Sequence, residues 1–393
     1  SPEETMQNFV FENPTKIIFG KGTIARIGAE VRRFGTRALM VYGMGSIRTG
    51  GVYGQVLNSL KEAGVEFVEF PGVRSNPLLS KAREGIALAR AEKVDVVLAV
   101  GGGSVIDTAK TIAAGTKADH DPWEFFVYTK TVKDALPVLV VLTLSASASE
   151  MNPAAVITKD ETCQKYSVRS PLIQPKASIL DPQVLYTLSP AYTAYSAVDI
   201  VTHMLEGYFT NTETGESPLQ DRMVYAFMRT IMEAAEKSLA DPRDYDARAN
   251  FMWSGTLAFN GLTTAGMGIV GYPVHMMEHS LSALYDIAHG AGLSIVLPGW
   301  MAWSAKRKPA RFACLAREFF GAAEADDAKA AAAGISQLRD WFRSIRSPVS
   351  LGEGGIPEGD MEKIADNAVE LARTWRLKDY TKEVIMEVLQ HCR

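Results

Sequence analysis

Cysteine is scarce in this chain. Its 393 residues include three cysteines, at positions 163, 314 and 392, and no two of them have Cys-x-x-Cys spacing. This composition excludes a disulfide framework and is typical of a protein from a reducing compartment. It also excludes a metal site built on paired thiolates.

An excess of charge of either sign is missing as well. The 41 Lys and Arg residues against 45 Asp and Glu give a formal net charge of −4, with no basic run of the kind that binds nucleic acid. No stretch reaches the roughly 18 consecutive apolar residues of a membrane span. The first residues, SPEETMQNFVFENP, lack the basic and apolar regions of a secretory signal. We therefore expect a cytoplasmic protein that binds neither nucleic acid nor membrane.

Histidine is also rare, but four of the six histidines stand in two groups. Asp199 and His203 are four residues apart, as are His275 and His279, so each pair projects from one face of a helix. His289 follows 14 residues after His275, beyond an expected turn. Imidazole nitrogens and a carboxylate oxygen suit borderline cations such as iron(II) and zinc(II). The two groups together predict a divalent-metal site.

The chain divides into two halves of different pattern. From about residue 15 to 190, amphipathic stretches alternate with short apolar runs, namely TKIIFG, ALMVYG, VEFVEF, VDVVLAV and LPVLVVLTL. This alternation predicts a doubly wound, mostly parallel, Rossmann-like sheet. Ser189 followed by Pro190 is a helix N-cap with proline at the first helical position, and long periodic stretches follow. We predict an α/β domain at residues 1–188 and an all-α, metal-binding domain at residues 189–393.

Three glycines follow one of the predicted strands. In VDVVLAVGGGSVIDTAKTIAAG, a strand leads through Gly101, Gly102 and Gly103 into a helix. Glycines there let a phosphate approach the backbone, and the N–H groups at the start of the helix face it. The GxGxxG fingerprint is incomplete, because Ile106 stands where the third glycine would be. The context predicts a nucleotide site, and a plain tight turn is the alternative.

The loop after the second strand bears on which nucleotide binds. A GxGxxA match at residues 20–25 is followed, about 20 residues on, by the end of a strand and not by the acid that holds the ribose of NAD. The loop GMGSIRTGG, residues 43–51, offers Gly43, Ser46 and Arg48. A hydroxyl and a cation suit a 2′-phosphate. We therefore expect NADP(H) to be preferred over NAD(H), and a flexible loop with a solvated arginine is the alternative.

In combination, these motifs resemble one family. GGGSVIDTAK at 101–110, TLSASASEMN at 143–152 and the Asp/His set make the chain similar to the iron-containing (group III) alcohol dehydrogenases, from about residue 9 to beyond residue 298. YGMGSIRTGGVYGQV and HMMEHSLSALYDIAHG are most similar to the branch of butanol dehydrogenases and broad-specificity NADPH aldehyde reductases. The resemblance implies an enzyme that uses Fe²⁺ or Zn²⁺ and NADP(H) or NAD(H) to interconvert small primary alcohols and aldehydes. It also implies a homodimer or larger homo-oligomer.

The resemblance further implies roles for single residues. His279 would stand beside the substrate and transfer a proton. The metal ligands would be Asp199, His203, His275 and His289. The cofactor, already expected at Gly43 and Ser46, would also contact Gly102, Gly103, Ser104, Asp107, Thr143, Ser147 and Lys165. One position departs from the family pattern, because the usual Thr-Gly-Ser-Glu is Ser147-Ala148-Ser149-Glu150 here, with an added methyl group at Ala148.

The chemistry of these residues agrees with that implication. A bound divalent ion polarises a carbonyl oxygen, and a histidine can exchange a proton near neutral pH. Dehydroquinate synthase-like and glycerol-phosphate dehydrogenase-like enzymes share the two-domain plan, but residues 263–290 hold no Lys or Arg for an anionic substrate. A metal-dependent hydrolase would leave GGGSVIDTAK without a use. A nucleotide-binding protein without catalytic activity would not need a complete ligand set.

Overall fold

The structure, a computed structural model, describes residues 6–210 and 217–393. The chain forms two compact units. The α/β unit holds residues 12–189 and 237–260, and the helical unit holds residues up to 11, 190–236 and 261–393. The chain passes from one unit to the other after Ser189, next to the predicted boundary. A single boundary at residue 188 does not describe this division, since the chain returns to the α/β unit at residues 237–260.

Eight strands lie in the described part of the chain, all of them in the α/β unit. They are β1 (Lys16–Phe19), β2 (Arg37–Tyr42), β3 (Glu66–Phe70), β4 (Val96–Gly101), β5 (Val138–Leu142), β6 (Ala154–Lys159), β7 (Gln164–Arg169) and β8 (Ala177–Leu180).

Six of these strands form one sheet in the order β1-β8-β5-β4-β2-β3. Every neighbouring pair in it is parallel. Strands β4 and β5 are buried along their whole length. Both faces are covered, so their sequences are continuous apolar runs and do not alternate. The predicted parallel α/β fold is confirmed.

Three strands have too weak a pattern to be predicted from the sequence. Strand β8 is the four-residue segment ASIL, and it inserts between β1 and β5. Strands β6 and β7 pair as an antiparallel hairpin outside the main sheet. The short turn of that hairpin passes through Cys163, which has a left-handed φ of 51°. A turn residue with left-handed backbone is usually glycine. Because this one is a cysteine, the sequence has no glycine to mark the turn.

The helices connect the strands in the first half of the chain and make up nearly all of the second. In chain order they are α1 (Ile27–Arg32), α2 (Ser46–Thr49), α3 (Val52–Glu62), α4 (Leu79–Ala91), α5 (Gly103–Thr116), α6 (Trp123–Phe126), α7 (Pro190–Thr210), α8 (Pro218–Ala240), α9 (Tyr245–Leu257), α10 (Pro273–Tyr285), α11 (His289–Ala305), α12 (Pro309–Glu318), α13 (Asp327–Ser344), α14 (Met361–Thr374) and α15 (Lys382–Gln390).

The helical unit contains helices and short 3₁₀ turns, and no strand among its described residues. This confirms the prediction of a helical C-terminal region. Helix α7 begins at Pro190, where the sequence predicts a helix start. None of the described helices is both long enough and apolar enough to cross a membrane.

The hydrophobic core of the α/β unit supports the loops at one edge of the sheet. Helix α3 buries Val56 and Leu60 against sheet residues that include Met40 and Leu98. Each side chain of this size contributes about 1.5–3 kcal/mol when fully buried. In open parallel sheets, ligands bind beyond the carboxyl ends of the strands. The loops after β2, β4 and β5 all start from that edge, and these three strands are neighbours in the sheet.

Candidate active site

Three helices of the helical unit present the predicted metal ligands. Asp199 and His203 lie one turn apart on α7, and His275 and His279 lie one turn apart on α10. Helix α10 ends at Tyr285, and Asp286 follows in the left-handed region with φ 54°. Helix α11 then begins at His289. The turn between the two helices therefore returns the chain so that His289 faces His275, with ring centroids 5.2 Å apart.

One carboxylate oxygen is the meeting point of three imidazole rings. Oδ1 of Asp199 lies 3.2 Å from Nε2 of His203, 3.4 Å from Nε2 of His275 and 3.5 Å from Nε2 of His289. Donor atoms of Asp199, His275 and His289 all lie within 4.8 Å of one another. The four residues that the sequence predicts as ligands are therefore brought together.

These distances fit a divalent first-row ion. Ligands bonded at about 2.1 Å in tetrahedral geometry stand roughly 3.4 Å apart. The separations from Asp199 Oδ1 to the three ring nitrogens are close to that value. Three imidazoles and a carboxylate are donors that both iron(II) and zinc(II) accept.

Burial and charge at the site favour a bound cation. Burial raises the pKa of Asp199, but the charge and hydrogen bonds of the imidazole groups around it outweigh burial, so the carboxyl pKa lies well below its usual value. Burial lowers the pKa of His203 to about 3, so its ring is neutral. Burial also lowers the pKa of His275, but Glu206 and Asp199 outweigh it and raise that pKa to about 10. The buried carboxylates therefore stabilise positive charge on His275, and a bound divalent cation would be stabilised by the same carboxylates.

His279 lies beside the rings of His275 and His289. Its ring centroid is 6.3 Å from that of His275 and 5.8 Å from that of His289. It is buried, with 3% of its surface exposed. Glu278, His279 and His289 form a second trio with donor atoms within 4.8 Å of one another. The structure therefore allows two assignments for His279, a proton-transfer group or a ligand.

Two buried glutamates at the site were missed by the sequence analysis. Glu206 on α7 contacts Nδ1 of His275, and Glu278 on α10 contacts Nδ1 of His289. Both glutamate side chains have no solvent exposure. A signal for them exists in the sequence, since each is an acid within an apolar helical segment and close in sequence to a candidate ligand.

A tryptophan from the C-terminal part of the chain also reaches the site. Trp375, just after α14, packs edge-to-face on His279 with ring centroids 5.4 Å apart. The sequence beyond about residue 310 carries no motif that points to this contact.

The predicted cofactor residues lie at the ends of neighbouring strands in the α/β unit. Gly43 follows β2, Gly101 ends β4 and Thr143 follows β5. The backbone N–H of Thr143 donates to the carbonyl of Gly101, at 3.0 Å. The three loops therefore share one edge of the sheet.

The glycine turn is closely packed against the loop that follows β5. Helix α5 begins at Gly103, after Gly102, and Ser104 is its second residue. A Cβ on Gly103 would lie 2.4 Å from Oγ of Ser147, and one on Gly102 would lie 2.9 Å from Cβ of Leu144. A side chain at either position would therefore force Ser147 or Leu144 to move. With no acid in the first turn of α5, the start of the helix suits an anionic phosphate.

Asp107 is placed inside the α/β unit. Its Oδ1 accepts from Ser149 Oγ at 2.6 Å, and its Oδ2 accepts from the backbone N–H of Val156 at 3.0 Å. Lys110, also fully buried, donates to Ser149 Oγ at 2.8 Å and to two backbone carbonyls. Burial raises the pKa of Asp107 and lowers that of Lys110 to about 7. Both carboxylate oxygens of Asp107 are therefore engaged within the protein, where they tie α5 to β6.

The other predicted contacts sit around the same loop and on the hairpin. Ala148, the departure from the family pattern, has a left-handed φ of 54°, a conformation that glycine adopts more readily. On β7, Nζ of the buried Lys165 donates to Oδ1 of Asn76 at 3.1 Å. The cofactor contacts of Asp107, Thr143, Ser147 and Lys165 stay predictions.

The loop after β2 contains the predicted residues, but its arginine has partners. Ser46 opens α2 and is exposed. Nη2 of Arg48 donates to the hydroxyl of Tyr42 at 2.8 Å and lies 3.6 Å from Oε1 of Glu69. Glu69 stands on β3, which pairs with β2. The carboxylate beside Arg48 therefore comes from the neighbouring strand and not from the loop itself.

These features define a class of protein, one that has a cluster of histidine and carboxylate donors on helices and a parallel sheet with a glycine turn before a helix. Two family models match the chain. The model described as iron-containing alcohol dehydrogenase matches residues 14–182, and the one described as the C-terminal part of the Fe-containing alcohol dehydrogenase family matches residues 193–392. The chain belongs to the iron-containing alcohol dehydrogenase family, and it is an oxidoreductase of that type.

Individual relatives agree with this assignment. The probable NADH-dependent butanol dehydrogenase 1 of Bacillus subtilis is 41% identical over 98% of this chain and 99% of its own length. The NADPH-dependent aldehyde reductase YqhD of Escherichia coli is 37% identical over 89% of this chain and 90% of its own. The crystal structure of NADH-dependent butanol dehydrogenase A from Thermotoga maritima is 43% identical, with a TM-score of 0.95, and the match covers 99% of this chain and 100% of that one. The predicted family is thereby confirmed.

Proposed function

We propose that the protein transfers a hydride between NAD(P)H and a small primary alcohol or aldehyde, using iron(II) or zinc(II). The observation that carries the proposal is the convergence of three ring nitrogens on Oδ1 of Asp199 in a chain of this family. In the direction of reduction, an aldehyde and NAD(P)H take up one proton and give an alcohol and NAD(P)⁺.

The proposed metal ligands are Asp199, His203, His275 and His289. A divalent ion held by them supplies Lewis acidity, which polarises a carbonyl oxygen or lowers the pKa of an alcohol. The chain's own contribution is to present a charged carboxylate and three ring nitrogens from three helices. Burial of these groups keeps water from competing with the substrate.

His279 is proposed to exchange the proton of the reaction. It stands one helical turn from His275 and packs against His289. A substrate oxygen placed among the ligand rings would therefore be near its imidazole. Histidine can deliver or remove a proton close to neutral pH.

The start of helix α5 is proposed to hold the diphosphate of the nicotinamide cofactor. Gly102, Gly103 and Ser104 offer backbone N–H groups at the positive end of the helix dipole. Gly43 and Ser46 are proposed to lie along the adenosine ribose, with Thr143, Ser147 and Lys165 further along the cofactor. Asp107 is proposed to lie next to the cofactor as well, and its bonds to Ser149 and Val156 support this surface from inside.

Which cofactor is preferred depends on Arg48. The sequence alone favours NADP(H), but two observations weigh against that preference. Glu69 partly neutralises Arg48 and would repel a 2′-phosphate. In addition, two of the relatives described above are named NADH-dependent. We therefore propose that NADH is used at least as well as NADPH.

An absorbance assay tests the proposed reaction. Purified protein supplied with Fe²⁺ or Zn²⁺ should consume NADH or NADPH, followed at 340 nm, when butanal is added. Asp199→Ala protein is the matched control and should be inactive. No consumption of either cofactor with any short aldehyde, under conditions where the metal is bound, would refute the proposal.

Two expectations stay predictions. They are the assembly of the chain into a homodimer or larger homo-oligomer and its residence in the cytoplasm.

A further inference from the structure

The buried glutamates Glu206 and Glu278 contact two of the proposed ligand rings on the side away from Asp199. Nε2 of His275 and Nε2 of His289 face Asp199, while Nδ1 of each ring contacts a glutamate carboxylate. An ionised carboxylate can only accept hydrogen bonds. In the neutral form of each ring, the form that binds a metal ion, the proton must therefore sit on Nδ1 and the lone pair on Nε2.

We propose that Glu206 and Glu278 are positioning residues that fix the tautomer and orientation of His275 and His289, and that metal retention depends on them. This inference rests on the metal site of the proposed function. Partners of this kind behind a histidine ligand typically change metal affinity by 10- to 100-fold when they are lost.

Glu206 also accepts hydrogen bonds from the backbone, so a neutral residue in its place would disturb these bonds as well as the one to His275. Its carboxylate also accepts from the backbone N–H groups of Val274, at 2.5 Å, and His275, at 3.2 Å, in the first turn of α10. Tyr272, at the N-cap position of α10, makes no side-chain capping bond. Glu206 therefore caps α10 from another helix, and both of its oxygens are committed as acceptors.

A glutamine at position 206 cannot satisfy all of these donors. The backbone N–H of Val274 donates to one carboxylate oxygen, whereas the backbone N–H and Nδ1 of His275 share the other. If the single amide oxygen of glutamine stays with His275, the NH₂ group faces the N–H of Val274, and the start of α10 must shift together with His275. If the oxygen stays with Val274, the NH₂ group faces Nδ1 of His275. Since the NH₂ group only donates, Nδ1 would have to accept and the ring proton would move to Nε2. His275 could then no longer bind a metal ion in its neutral form.

Glu278 is different, because its other partner is a hydroxyl. Ser282 Oγ contacts Oε1 of Glu278 and can instead donate to the carbonyl of Ile287, at 3.2 Å. A glutamine at position 278 can therefore turn its NH₂ group towards Ser282 and keep its oxygen on Nδ1 of His289. A methionine at the same position has no strong acceptor. The two glutamates thus differ in how they tolerate glutamine.

Competition for Zn²⁺ against a chromogenic chelator, measured on full-length protein, tests the proposal. Glu206→Gln and Glu278→Met should lower Zn²⁺ affinity by about 10- to 100-fold, whereas Glu278→Gln should lower it by less than about 10-fold. Glu233→Gln, an exposed acid on α8, is the matched control and should bind as wild type does. Far-ultraviolet circular dichroism establishes that each variant is folded.

The outcomes separate this inference from the proposed function. Wild-type protein that binds no Zn²⁺ would refute the metal site itself. Wild-type binding that is retained in Glu206→Gln, or in Glu278→Met if Glu206→Gln does not fold, would overturn the positioning role. An equal loss in Glu278→Gln and Glu278→Met would overturn the tautomer argument, because glutamine keeps the acceptor that methionine lacks.

Discussion

Oδ1 of Asp199 is the atom around which the proposed metal ligands are arranged. The i,i+4 spacing on α7 brings His203 to it, whereas His275 and His289 arrive from other helices. The spacing within each pair could be predicted from the sequence, because it follows from helix geometry. Glu206 could not be assigned in this way, since its role depends on where the start of α10 falls in space.

His279 is the residue whose role a single substitution decides. His279→Ala should lower kcat by about 100-fold, the low end for a positioned acid–base group, because its imidazole would no longer exchange the proton. Metal content, measured by inductively coupled plasma mass spectrometry, should stay near that of wild type. His120→Ala in the α/β unit is the control. A parallel loss of metal would assign His279 to the second trio, with Glu278 and His289.

Glu69 is the residue that should set the cofactor preference through Arg48. Glu69→Gln removes a negative charge 3.6 Å from the guanidinium. The ratio of kcat/KM for NADPH to that for NADH should rise by about fivefold, since a charge pair at 4 Å is worth about 1 kcal/mol in water. Steady-state kinetics with both cofactors measure it, with Glu66→Gln on the same strand as control. An unchanged ratio would show that Glu69 does not act on the 2′-phosphate.

The start of helix α5 shows how one element combines a packing requirement with a binding surface. The sequence predicts a strand, a glycine turn and a helix, and the structure has β4 ending at Gly101 and α5 beginning at Gly103. What the sequence does not contain is the reason for each glycine. Contact with Ser147 and Leu144, far along the chain, excludes a side chain at Gly103 and Gly102.

Gly103→Ala should impair cofactor binding and leave the metal centre intact. The added methyl group would overlap Oγ of Ser147 and displace it or the start of the helix. Such overpacking costs about 1–3 kcal/mol, and an equal loss in cofactor binding would raise KM for NADH by about 5- to 150-fold, with metal content unchanged. Gly54→Ala, where no atom lies within 4 Å of the new Cβ, is the control. A KM equal to that of wild type would contradict the placement of the cofactor here.

At the scale of the whole molecule, the sequence predicts the two kinds of unit but not how the chain is shared between them. Residues 237–260 group with the α/β unit, although their pattern is helical like that of their neighbours. In this segment Thr256 donates to Oε1 of the buried Glu150, at 2.6 Å. Contacts between residues about a hundred positions apart leave no periodic signal. The same holds for Trp375, whose contact with His279 joins the end of the chain to the metal centre.

The most direct test of the central claim is removal and return of the metal. Protein treated with a strong chelator and then freed of it should have lost its turnover of butanal. Addition of Fe²⁺ under anaerobic conditions, or of Zn²⁺, should restore activity in wild type but not in Asp199→Ala or His203→Ala, because those variants lack donors of the site. Full activity in protein shown to be free of metal would contradict the account.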